Sequence, residues 1–119
     1  MRKVVSFLAA LPAGLVLAGC ATGGAPAPGQ PDPAVARGQA FAQRACSGCH
    51  AIGPVGDSPN SSSPPFRSLR MQFTEPSLRH HLQLISRNGH YQMPPIYITP
   101  DEIADVAAYI RTVRAPAAP

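Results

Sequence analysis

The sequence contains no tryptophan and only four phenylalanines and three tyrosines among its 119 residues. One of these, Phe7, lies in an N-terminal apolar run that reads as a removable segment. What remains is about 100 residues, enough for one domain, but its helices carry mostly small side chains and would make a marginal core unaided. Basic runs are also missing. The formal charge is +4, yet Arg2 and Lys3 belong to the N-terminal segment. Beyond it eight arginines face six acidic residues, a balance of +2. With no basic cluster and no aromatic-basic stripe, nucleic-acid binding is excluded. The longest apolar run, residues 4–17, has 14 residues, short of the roughly 20 that cross a bilayer as a helix. Ser61, Ser62 and Ser63 lack any organised base and read as loop composition, so no enzymatic activity of its own is expected. Cysteine is scarce too, with three in the whole chain.

The N-terminus combines Arg2 and Lys3, the apolar run and Leu17-Ala18-Gly19-Cys20. A basic start, a short apolar stretch and a small-residue cleavage site define a secretory signal. The last four residues resemble the lipobox of bacterial lipoproteins, which implies a signal peptide over 1–19 and a lipidated Cys20. Residues 20–33 then form an Ala/Gly/Pro-rich tether that reaches at most about 40 Å. The expected domain covers 34–115, followed by a tail over 116–119.

Helix signals are clear in three places. Asp32 and Pro33 can start a helix running to Ala45. Leu78, Leu82 and Ile85 recur at helical spacing between Thr74 and Arg87, and Asn88-Gly89 ends that segment. Thr99, Pro100 and Glu102 form a capping box ahead of Ile103, Val106, Ala107, Ile110 and Val113. Residues 51–73, by contrast, read as irregular. So long a structureless stretch inside a compact domain is suspect unless something other than chain fills the centre. The expected class is all-α, three or so helices around a large buried group.

Cys46, Cys49 and His50 spell C-x-x-C-H. A redox dithiol, half a zinc site and a covalent haem site all use such a cluster. A dithiol of the thioredoxin type requires strands alternating with helices, and none is read here. Zinc requires two more ligands, and only His80, His81 and His90 remain, at no recognisable spacing. Covalent haem needs nothing further: each thiol adds across a vinyl group, and the adjacent His50 reaches the iron. It also supplies the missing core. For a sixth ligand the sequence offers Met71, read as a packing residue next to the second helix, and Met93, held by Pro94 and Pro95 and favoured on that ground. His90 is the rival, read mainly as a loop histidine near the haem edge. His80 and His81, adjacent on a helix, cannot face one point together and read as a partly solvated face.

Over residues 34–114 the chain resembles small class I c-type cytochromes, in particular the short monohaem cytochromes c of proteobacteria. The likeness is carried by "GQAFAQRACSGCHAIG", "PPFRSL", and "MPP" followed by "TPDEIADVAAYIRT". It departs at Ala42, where the family usually carries an aromatic four residues before the first cysteine. The resemblance implies a cytochrome c-like fold and one haem c bound through Cys46 and Cys49, with His50 and Met93 as axial ligands. It implies that the Pro64 carbonyl, two residues before apolar Phe66, accepts a hydrogen bond from the second nitrogen of His50. Gly38 and Tyr109 match positions where the first and last helices cross.

The function this implies is one-electron transfer by a monomer tethered through Cys20. It would act at the periplasmic face of a membrane, with the outer membrane favoured because Ala21 is not aspartate. Its partners would be redox proteins met transiently. Two other roles stay open: a haem-based gas or redox sensor in which Met93 leaves the iron, and a fixed subunit of an oxidase or dehydrogenase complex.

Overall fold

The computed structural model describes residues 29–91 and 93–117. The signal segment, Cys20 and most of the tether lie outside the described residues. Four helices occur among them: α1 (Pro33–Ala45), α2 (Phe66–Gln72), α3 (Glu75–Asn88) and α4 (Pro100–Thr112). No strand is formed there, only an isolated antiparallel bridge between His90 and Met93. No helix of the described residues is long and apolar enough to cross a membrane.

Local chemistry sets the helix starts. Asp32 accepts a hydrogen bond from Ala34 N at 2.9 Å, and Pro33 takes the first position, where a missing N–H costs nothing. Thr74 caps α3, accepting from Ser77 N. At α4 the capping box is closed in both directions: Glu102 N donates to Thr99 Oγ1 at 3.2 Å, and Thr99 N donates to Glu102 Oε2 at 3.0 Å. The bonds that Thr99 N and Thr99 Oγ1 donate to Glu102 Oε2 hold the Glu102 carboxyl below the usual carboxylate range.

The frame is the crossing of α1 and α4. Gly38, Phe41 and Ala42 are the buried residues of α1, and Ile103, Val106, Ala107 and Ile110 face them from α4. Phe41 and Ala42 are both buried, so where the family usually has an aromatic, the neighbouring Phe41 supplies one from the same helix turn. A Cβ added at Gly38 would fall on the carbonyl of Asp105 and lie 2.9 Å from Cβ of Tyr109. Beside this contact Arg37 clamps the two helices. Its Nε and Nη2 donate to Asp105 Oδ2 and Oδ1 at 2.7 and 2.8 Å, a two-point pairing that satisfies an otherwise buried carboxylate. Gly38→Ala is therefore expected to destabilise the protein by about 1–3 kcal/mol or more through overpacking. Thermal denaturation measures it, and an unchanged midpoint would mean the helices separate freely here.

Residues 51–73 are not wholly irregular, because α2 occupies their last part. Its seven residues are too few to show a helical period, and no side-chain cap announces it. Pro65 opens it, and tertiary contacts hold it: Phe66 is buried, its N–H donates to Ala51 O at 2.9 Å, and its ring lies edge-on to Tyr109. A second correction concerns Met71. It is 75% exposed on the outer side of α2 and is not a packing residue. The loop over 51–65 is pinned instead by hydrogen bonds. Tyr109 Oη donates to Ile52 O at 3.1 Å, Ala51 N to Ser58 Oγ at 3.0 Å, and Arg67 Nη1 to Gly56 O at 2.8 Å.

Candidate functional site

The C-x-x-C-H segment continues α1 by one turn. Cys46 N donates to Ala42 O, and both Cys49 N and His50 N donate to Cys46 O, at 3.1 and 2.9 Å. This turn brings two thiols and an imidazole together at the mouth of one cavity. Cys46 is half-buried and Cys49 exposed, and both are free thiols. Burial pushes the Cys46 thiol up to about 11, so it stays protonated at neutral pH and is a weak nucleophile for disulfide exchange.

His50 is fixed by its other edge. Nδ1 donates to the carbonyl of Pro64 at 2.7 Å, which assigns the proton to Nδ1 and leaves Nε2 with a free lone pair. That is the arrangement of a metal-binding imidazole with an oriented ring. Phe66 packs against the same ring at 5.7 Å between centroids. Pro64 and Phe66 thus stand directly behind His50, and both reach the cavity wall.

The cavity measures about 440 Å³ and is walled mainly by hydrocarbon from all four helices. Cys46, Cys49, His50 and Met93 all line it, so the sequence candidates converge on a single space. Met71 does not line it. His80 is exposed; His81 reaches the rim and stacks on Phe73 at 5.1 Å. His90 enters the cavity as well, its ring parallel to that of His50 within 3° and 6.0 Å away between centroids. Burial, then the nearby His50 and His81, lower the His90 pKa.

Sequence reasoning passed over Ile96 and Ile98, which form one wall. Their signal is the alternation in Ile96-Tyr97-Ile98: the isoleucines turn inward while Tyr97 is 82% exposed. Ser86 holds this strand-like piece to α3, accepting from Ile98 N at 2.9 Å.

Among the described residues no group of three or more Cys, His, Asp or Glu side chains is placed to hold a metal ion, and there is no sheet to carry a thioredoxin-type dithiol. A deep apolar cavity with two thiols, one oriented imidazole and a thioether on its wall fits a planar, covalently held haem. The fold and site therefore define an all-α haem protein of the c type. Residues 35–114 match the family model Cytochrome c, and the chain belongs to the cytochrome c family. No curated protein and no solved structure matches the chain significantly. Membership makes it a haem-based electron carrier with covalent c-type haem, for which Cys46 and Cys49 are in place. Domains of this family are typically exported or periplasmic.

Proposed function

We propose that the protein is a membrane-tethered, class I one-electron carrier of the proteobacterial type, its haem iron held between His50 and Met93. The observation that carries this reading is the shared cavity. His50, with Nδ1 committed to Pro64, and Met93, on the segment stiffened by Pro94 and Pro95, line the same space. Bound there, the haem supplies an iron that cycles between ferric and ferrous states. The chain does the rest. His50 and Met93 would hold the iron from two sides and leave no place for a substrate, which supports a carrier over an enzyme. The apolar wall excludes water, and a thioether stabilises the ferrous form and raises the potential.

The visible spectrum, oxidised and reduced, tests this directly. A sharp low-spin reduced spectrum, a weak long-wavelength sulfur-to-iron absorption when ferric, and little reaction with carbon monoxide are expected. Fast, complete carbon monoxide binding would favour a gas sensor instead. A protein that co-purifies stoichiometrically with an oxidase or dehydrogenase after mild detergent extraction would be a fixed subunit rather than a free monomeric shuttle.

Tethering rests on Leu17-Ala18-Gly19-Cys20 and the Ala/Gly/Pro-rich stretch behind it. A lipidated Cys20 at the periplasmic face, in the outer membrane by its Ala21, would hold the domain at lipid level within reach of transient redox partners. Cys20→Ala should move the protein from the membrane fraction to the soluble one or leave it unprocessed. A variant that remained processed and membrane-bound would remove the anchor from this account.

A further inference from the structure

We propose that His90 is a second ligand for the distal axial position, competing with Met93 when the iron is ferric; this rests on the reading above, in which His50 and Met93 flank the iron.

Three observations point to His90. The first is its relation to His50. The rings are parallel within 3° and their centroids are 6.0 Å apart. The stacked rings place His90 beside the imidazole that would hold the iron, in the same part of the cavity. His50 presents its free Nε2 because Nδ1 is held by Pro64. The second observation is that Nδ1 of His90 is buried and has no hydrogen-bond partner. A buried ring nitrogen left unpaired is costly, and a metal bond satisfies it; either nitrogen of a neutral imidazole serves as a ligand.

The third is the turn. His90 N donates to Met93 O at 3.3 Å and Met93 N to His90 O at 2.9 Å. Residues paired directly in this way project their side chains from the same side, with Cβ atoms about 5 Å apart. Both side chains reach the cavity. The turn is backed by Gly89, whose φ of 68° and whose contact with the Met93 carbonyl leave no room for a Cβ. Imidazole and thioether are therefore offered to one iron from one tight turn, and exchange requires side-chain rotation rather than refolding.

The exchange balances without a co-reactant. The bond from Met93 sulfur would break as one from a ring nitrogen of His90 forms, and with that ring neutral no proton or electron moves. Soft thioether suits ferrous iron and imidazole competes better for ferric iron, so oxidation favours His90 and reduction favours Met93.

Electron paramagnetic resonance and visible spectra of the haem-loaded full chain test the idea. In ferric Met93→Ala, His90 should take the vacated position and give a low-spin, bis-imidazole signal. Adding His90→Gln should convert that signal to high-spin. His90→Gln alone should strengthen the sulfur-to-iron absorption of the ferric protein, and it decides the matter where Met93→Ala fails to load haem. The proposal is overturned if ferric Met93→Ala is already high-spin, if the double variant stays low-spin through another residue such as His81, or if His90→Gln leaves the absorption unchanged. A ferrous protein whose spectrum and carbon monoxide reaction are indifferent to Met93→Ala sinks the His50/Met93 reading instead, and haem that extracts into acidified acetone sinks the covalent site beneath both.

Discussion

A chain carrying Cys46→Ala and Cys49→Ala together is expected to release its haem into acidified acetone and to lose its cooperative thermal unfolding transition near room temperature. The two thiols sit on one turn at the cavity mouth, fixed by the hydrogen bonds that Cys49 N and His50 N make to Cys46 O. Cys49 is exposed and the pair is not joined as a disulfide; Cys46 also packs against the core, but alanine there removes only one sulfur atom. Their removal therefore acts through the haem. The cavity measures about 440 Å³, and an unfilled apolar space costs about 24 cal/mol per Å³. The penalty reaches about 11 kcal/mol at most, inside the range of about 5–15 kcal/mol that is the whole stability of an ordinary domain. A domain with few aromatic side chains has no reserve to meet it. Single replacements keep one thioether and should keep most of the haem through denaturation. Haem that stays with the doubly substituted chain in denaturant, or a doubly substituted chain that melts at the wild-type temperature without haem, would refute this dependence.

The start signals of α1 and α4 were legible because they are local, and α3 was legible from the spacing of Leu78, Leu82 and Ile85. Asp32-Pro33 and Thr99-Pro100 each act within a turn of themselves, and the same residues cap the helices in three dimensions. The helix α2 was not legible. Seven residues carry no usable period, and what stabilises "FRSLRMQ" is Phe66 against Tyr109 and a backbone bond to Ala51, contacts that are distant in sequence. The outward direction of Met71 was hidden for the same reason: which way a methionine on a short helix points depends on the side that Phe66 buries. At the site, C-x-x-C-H is again local chemistry and could be read directly. The direction of His90 could not, because the ring faces His50 from far along the chain and is aimed by a turn whose geometry depends on Gly89 and on Tyr91 at φ 48°. Sequence alone thus names the residues near the haem more readily than it ranks them as ligands.

Replacing Met93 by alanine is expected to lower the reduction potential by on the order of 0.1 V or more, a fraction of the roughly 0.8 V that axial ligands span across haem proteins. The sign follows from ligand chemistry. The thioether sulfur is soft and stabilises ferrous iron; without it, nitrogen or water occupies the position and the ferric form gains relative to the ferrous. The wild-type position is guarded by backbone. Pro94 and Pro95 fix the chain after Met93, the bridge to His90 fixes it before, and Ile98 N is held by Ser86 on α3. Sulfur offered on so stiff a segment is slow to leave, so the ferrous wild-type protein should bind carbon monoxide slowly or not at all. Ferrous Met93→Ala should bind it readily, because the soft thioether is gone and the groups left to fill the position favour ferric iron. Met71→Leu is the matched control: it changes the other thioether of the described domain, but at a residue on the outer surface and away from the cavity. Neither its potential nor its carbon monoxide reaction should move. Redox titration and carbon monoxide difference spectra of the two variants suffice to decide. A Met93→Ala protein with the wild-type potential and no added carbon monoxide reactivity would show that the sulfur of Met93 does not bind the iron.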